Sequence, residues 1–368
     1  MNRLQAADWV EVRSKEEILR TLDKQGRLEG LPFMPQMFRY CGKRFRVFKR
    51  AHKTCDTVSY NPKSPGRTLP NGIHLNLRCD GEAYGGCQAA CLIFWKEAWL
   101  KPIDRPAANE LRAENGGCSE ADVARATRVD DPKVDNGPRF ACQATELLNF
   151  TTPLPWWDAR QYVEDYMSGN VTLGRLLRGF LYVGYYYGSL ASRRKYGGPA
   201  RWLYDRFQAL WGGLPFPRHR GTIAPGEPTP IANMNLEAGD LVRVKTYEEI
   251  LATLDTNNKN RGMVFDAEMM PFCGRIFRVR ARVETFVDEK TGCLRKMKTP
   301  AVLLEGTYCR ARYSNHRMFC PRGIFAWWRE VWLDRVSADA QQEQISVQLN
   351  DDCRQLRPEV CVRMGELG

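Results

Sequence analysis

The sequence predicts an α+β chain made of two related small β-rich modules with a helical unit between them. Three observations carry this. DWVEVRSKEEILRTLD from Asp8 returns as DLVRVKTYEEILATLD from Asp240, and the same shift of 232 positions still holds from Cys41 to Cys273. Each copy reads as short alternating strands around one small amphipathic helix. Residues 158–214 carry helical periodicity instead. At 368 residues the chain accommodates two or three folding units.

Copy one spans residues 7–105 and copy two residues 239–336. In each, a short strand leads to an N-cap, Ser14 before Glu16-Glu17 or Thr246 before Glu248-Glu249, and then to the helix. A second strand follows, CGKRFRVFKR from Cys41 or CGRIFRVRAR from Cys273. There Phe45 and Val47, or Phe277 and Val279, alternate with basic residues, giving one buried and one solvated face. The copies then diverge, through a Pro/Gly-rich loop at 61–72 in the first and a charged hairpin-like segment at 288–298 in the second. A third strand, IHLNLRC or VLLEGTYC, ends at Cys79 or Cys309 and sets His74 against Leu304. Short strands around one helix suggest a compact barrel.

Copy one continues as CDGEAYGGCQAACLIFWKEAWL, a cysteine cluster leading into an expected Trp-rich helix that ends at Leu100. Copy two carries a thinner version, CRARYSNHRMFCPRGIFAWWREVWL, with Cys320 in the place of Cys87 and Ile324 in that of Cys91. Residues 106–157 read as a loop-rich excursion that packs back on copy one, with Cys118 at a helix start and Cys142 ahead of a Pro-Trp-Trp turn. Residues 158–214 hold two or three helices. Residues 215–238 are a proline-rich linker without regular structure, and 337–368 form a polar tail containing Cys353 and Cys361.

The opening residues run into a charged, patterned segment and not an apolar core of a signal peptide, which points to the cytosol. The longest apolar run, Gly179 to Ser192, is too short to span a bilayer. The formal charge of +12 suits a polyanionic or protein partner. KRFRVFKRAHK, from Lys43 to Lys53, interleaves aromatic and basic residues as a nucleic-acid-binding strand does, although alternation on any half-buried strand gives the same pattern.

Thirteen cysteines in a reducing compartment point to metal ligation more than to disulfides. Cys79, Cys87 and Cys91 supply three soft ligands, and Gly85-Gly86 gives the chain freedom to bend before Cys87. The fourth is Cys55 or His74, with Cys118 and Cys142 as more distant candidates. A four-thiolate set suits zinc or an iron–sulfur cluster, and a set with histidine suits zinc. Zinc leads because a small module gains folding energy from it. Copy two offers Cys293, Cys309, His316 and Cys320, while Cys41 and Cys273 sit at equivalent strand positions and read as packing residues. The chain has no P-loop, dinucleotide-binding glycine pattern, H-E-x-x-H or G-x-S-x-G. The two functional readings are therefore a metal-binding scaffold and a metal- or cluster-dependent enzyme of specialised metabolism.

The combination of D-x-V-x-V-x-S/T-x-x-E-I-L-x-T-L-D, CG-x-x-F-R-V and a cysteine cluster ending in W-K/R-E-x-W-L resembles an uncharacterised group of bacterial two-copy, cysteine-rich proteins. The resemblance covers most of the chain and implies its layout, with no activity or catalytic residue to carry over. The opening strand after an A-D or G-D turn is also similar to the entry of small SH3-like barrels, which implies that fold for each copy.

Overall fold

A computed structural model of the chain describes residues 3–59, 65–103, 117–129, 138–191, 197–210, 219–314 and 316–336. The fold is α+β, with short helices and several small sheets whose strand pairings are antiparallel. Ser14 caps α1 (Lys15–Leu19): its hydroxyl accepts the Glu17 N–H while the Glu17 carboxylate accepts the Ser14 N–H. The strand Trp9–Val12 runs between Arg44–Arg46 and Leu100–Pro102, and Val10 faces Phe45 on one side and Pro102 on the other. Alternation places Val10 and Val12 in a core with Ile18, Phe33, Met37, Phe94, Trp95 and Trp99. The Trp99 indole donates to Thr21 Oγ1 at 3.0 Å, so this core keeps its polar edge satisfied.

The segment expected as a Trp-rich helix is a strand, Trp95–Lys96, followed by a 3₁₀ turn, Glu97–Trp99, and a second strand, Leu100–Pro102. The spacing of Trp95 and Trp99 matches one helical turn, but a strand followed by a tight turn also drops both indoles into the core. It further lets Leu100–Pro102 complete the ladder with Trp9–Val12. Tertiary pairing overrides the local period here.

Beyond α2 (Glu120–Arg125), which is capped by Ser119, the segment 138–154 returns to the N-terminal half and pairs Thr152–Leu154 with Gly66–Thr68. Three helices follow: α3 (Arg160–Met167), α4 (Leu173–Ala191) and α5 (Gly197–Leu210). They dock through buried polar contacts. Lys53 Nζ lies 2.5 Å from Asp165, and the Asn170 amide bridges the backbone N–H and C=O of Arg50 at 2.9 and 2.8 Å. Arg50 also pairs with Glu97 and Glu164. Two basic residues of the Lys43–Lys53 stretch thus serve as internal ion pairs, while Lys43, Arg44 and Arg46 are exposed, as alternation on a half-buried strand expects.

Residues 219–238 form no helix or strand, as expected, yet they are laid along the C-terminal half. Asn258 Oδ1 accepts the Gly221 N–H, the Asn260 amide donates to Pro230, and Arg261 Nε donates to Thr229. In that half Thr246 caps α6 (Tyr247–Leu251), and Leu241–Val244 runs between Ile276–Val287 and Leu333–Arg335, with Val242 facing Phe277 and Arg335. Its own core contains Val242, Val244, Ile250, Phe272, Trp328 and Trp332, and Trp332 donates to Thr253 Oγ1 at 2.9 Å. The charged hairpin expected near 288–298 is the turn of a long hairpin, Ile276–Val287 with Leu294–Tyr308.

The sheets stay open, and no strand set closes into a barrel among the described residues. Strands in the N-terminal half are two to four residues long, and left-handed turns at Asn76, Gly81, Gly85 and Gly86 interrupt the path on which a ladder would continue. The hairpin of the C-terminal half reaches across to the N-terminal one. Gln88 Oε1 accepts the Glu284 and Thr285 N–H groups, and the Phe140 N–H donates to Gly292. The cysteine stretch therefore lies at the junction of the halves. The tail, with Cys353 and Cys361, and residues 104–116 and 130–137 of the excursion lie outside the described residues.

Candidate metal centre

Cys79 to Cys91 folds into a closed loop. The Cys79 N–H donates to the Cys91 carbonyl at 2.9 Å, and within the loop Tyr84 and Gly86 donate to Gly81. Gly81 has φ 76°, and a methyl group there would collide with the Cys87 carbonyl oxygen, so the loop closes only over glycine. Gly86, at φ 76°, supplies the bend expected before Cys87.

Cys142 approaches from the 138–150 segment, and its neighbour fixes its place. The buried Gln143 side chain accepts the Phe94 N–H at 2.8 Å and donates to the Phe94 and Pro32 carbonyls, each at 2.9 Å. This clamp holds Cys142 beside the loop. Cys79, Cys87, Cys91 and Cys142 all line one cavity of about 30 Å³, together with Tyr84, Phe94, Val287 and Arg322. Of the expected ligands, Cys79, Cys87 and Cys91 line this cavity and Cys55 and His74 do not, while Cys142, the more distant candidate, does.

Two N–H donors meet the sulfurs. Gln36 Nε2 lies 3.1 Å from Cys79 Sγ, and the Val287 N–H points at Cys87 Sγ from 3.3 Å. Burial pushes the Cys79 thiol up to about 12, drives Cys91 well above its ordinary value and raises Cys142. Without a cation these thiols are neutral. A bound soft metal would displace their protons and satisfy all four sulfurs in an apolar setting. Among the described residues no group of three or more histidine, cysteine, aspartate or glutamate side chains is placed to hold a metal ion, so closing four sulfurs on one ion requires their side chains to turn inward.

The remaining candidates fall elsewhere. His74 is fully buried, donates from Nδ1–H to the Ile93 carbonyl at 2.8 Å, and packs on Phe94; burial holds its pKa down at about 3. Cys293 lies in the hairpin turn, with its sulfur 3.8 Å from the Thr291 carbonyl. His316 is stacked on Trp156 and meets the Tyr187 hydroxyl. Neither joins Cys309 and Cys320. Those two meet Cys55 from the other half instead, in a buried cluster with Ala311 and Ile324.

Within this cluster the Cys320 thiol hydrogen-bonds Cys55, which lowers the Cys55 pKa, and the nearby Arg322 guanidinium adds to the effect against burial. The same hydrogen bond raises Cys320, and burial raises Cys309. Arg322 is buried, donates to the Cys55 carbonyl and to Thr57, and pairs with Glu289 at 3.1 Å while also lining the four-cysteine cavity. It connects the two cysteine sets, and sequence reasoning passed over it because an arginine in C-P-R-G carries no local signal of burial. No cysteine among the described residues is in a disulfide. In comparison with known proteins, the chain matches no family model and no curated protein.

Proposed function

We propose that the chain is a metal-binding scaffold whose centre is a zinc ion held by Cys79, Cys87, Cys91 and Cys142. The observation that carries this reading is the convergence of these four cysteines on one cavity, three from a single loop and one from a segment some 50 residues later in the chain. Four thiolates in a closed setting are a structural zinc set. The ion ties the 79–91 loop to the 138–150 segment, and Val287 brings the C-terminal hairpin against it, so metal binding would hold both halves as one unit. We read those halves as copies of one module of SH3-like ancestry, on the shift of 232 positions shared by their first strands and capped helices.

Metal analysis of protein purified without added metal and without oxygen tests this. One zinc per chain, lost in Cys142→Ser, supports it. Bound iron with a broad visible absorption band would replace it with the cluster-enzyme reading.

A further inference from the structure

The helical unit is apolar on two faces. One face of α4 packs inward: Val171, Met318 and Phe319 are buried against Leu176 and Val183, and Phe319 lies so close to Gly179 that no larger residue fits there. Its outward side carries Leu173, Leu177 and Leu181 at helical spacing, and Leu177 and Leu181 are 54% and 73% exposed. The packed neighbour α5 likewise exposes Trp202, Leu203, Phe207 and Leu210, all more than half exposed. A helix that is apolar all round needs a second cover.

Charge indicates the kind of cover. α4 contains Arg175 and Arg178 and no acid, and α5 contains Arg201 and Arg206 with one acid, Asp205. Arg178 is exposed beside the stripe, and the exposed Arg206 lies over the Trp202 ring at 5.6 Å. Among the described residues no helix is long and apolar enough to cross a membrane. Leucine, phenylalanine and tryptophan on one surface with arginine along its edge are what a helix needs to lie in the headgroup layer of an anionic bilayer.

We propose that α4 and α5 form a docking surface for an anionic phospholipid membrane, with Leu177, Leu181, Leu203 and Phe207 entering the acyl boundary and Arg178 and Arg206 meeting lipid phosphates. The surface lies flat on the bilayer and does not span it. Its residues lie outside the metal centre, so a variant that loses membrane binding keeps its metal.

The test is co-sedimentation of the full chain with vesicles of phosphatidylcholine alone or of phosphatidylcholine with phosphatidylserine, at low and high salt. Binding should require phosphatidylserine and weaken with salt. Leu181→Asp and Leu203→Asp lie on exposed positions and should leave the melting temperature unchanged while lowering vesicle binding by about tenfold or more. Absence of binding to both vesicle types overturns the proposal, as does binding that neither variant changes. A dimer in solution that the same variants dissociate, with no vesicle binding, also overturns it and assigns the stripe to a second copy of the chain.

Discussion

Cys320 of the C-terminal half lies with Cys55 of the N-terminal half in one buried cluster beside Arg322, and this neighbour holds the Cys55 thiol below its ordinary pKa. A lowered pKa at Cys55 makes it the attacking thiolate of the pair. Treatment with a low-molecular-weight disulfide should therefore oxidise these two residues to each other: Cys55 displaces one thiol, and Cys320 displaces the second as the internal bond forms. Peptide mapping without reduction should find the 55–320 link before others, and a first link among Cys79, Cys87, Cys91 and Cys142 would contradict the assignment.

Metal loss should depend on which cysteine is replaced. Cys87→Ser and Cys142→Ser should each unload the metal and, because a structural zinc contributes roughly 10 kcal/mol or more, abolish cooperative folding of the N-terminal half. Cys41→Ser, outside the cavity, should keep its metal and cost about 1–3 kcal/mol. Bound metal and thermal unfolding of the three variants, measured side by side, check this; a Cys142→Ser protein with full metal content would remove Cys142 from the ligand set.

His74 gives the N-terminal half an acid sensitivity. Its pKa is held at about 3 by burial, below the ordinary value of an exposed histidine. The unfolded chain binds a proton first as pH falls, so this contribution is complete above about pH 6.5 and is lost toward pH 3, by about 1.4 kcal/mol per pH unit. His74→Leu, which copies Leu304 of the other half, should flatten the fall in melting temperature between about pH 6 and pH 4. An unchanged slope would show that His74 is not the group responsible.

The Lys53–Asp165 pair, 2.5 Å apart and almost wholly buried, holds α3 to the sheet. Asp165→Asn should cost about 3–5 kcal/mol because it leaves the Lys53 ammonium without its counter-charge. The double variant Lys53→Met, Asp165→Leu should recover much of that loss. Denaturant unfolding of the single and double variants decides it, and a double variant as unstable as Asp165→Asn would argue against an electrostatic cause.

Patterns that act within one element were readable from the sequence. The two capping boxes at Ser14 and Thr246, the helices α3 to α5 and the alternation of Phe277 and Val279 depend on neighbours a few residues away. The convergence of Cys79, Cys87 and Cys91 was readable for the same reason. Cys142 was harder to place, because its position is set by Gln143 clamping Phe94 and Pro32, contacts that span 49 and 111 residues. The meeting of Cys55 with Cys320 depends on how the halves dock, and no local spacing encodes it. Trp95 and Trp99 misled because a strand joined to a 3₁₀ turn and a helix both satisfy a spacing of four.

The position of Val287 against Cys87 has a consequence for synthesis of the chain. Val287 is made roughly 145 residues after Cys142, which at a ribosomal rate of about 5–20 residues per second leaves all four cysteines translated for about 7–30 s before the C-terminal hairpin exists. During that interval the cavity lacks one wall and its thiols face the ribosome's surroundings. If the four cysteines bind zinc as proposed, nascent chains arrested between these two positions should take it up faster than the finished protein does.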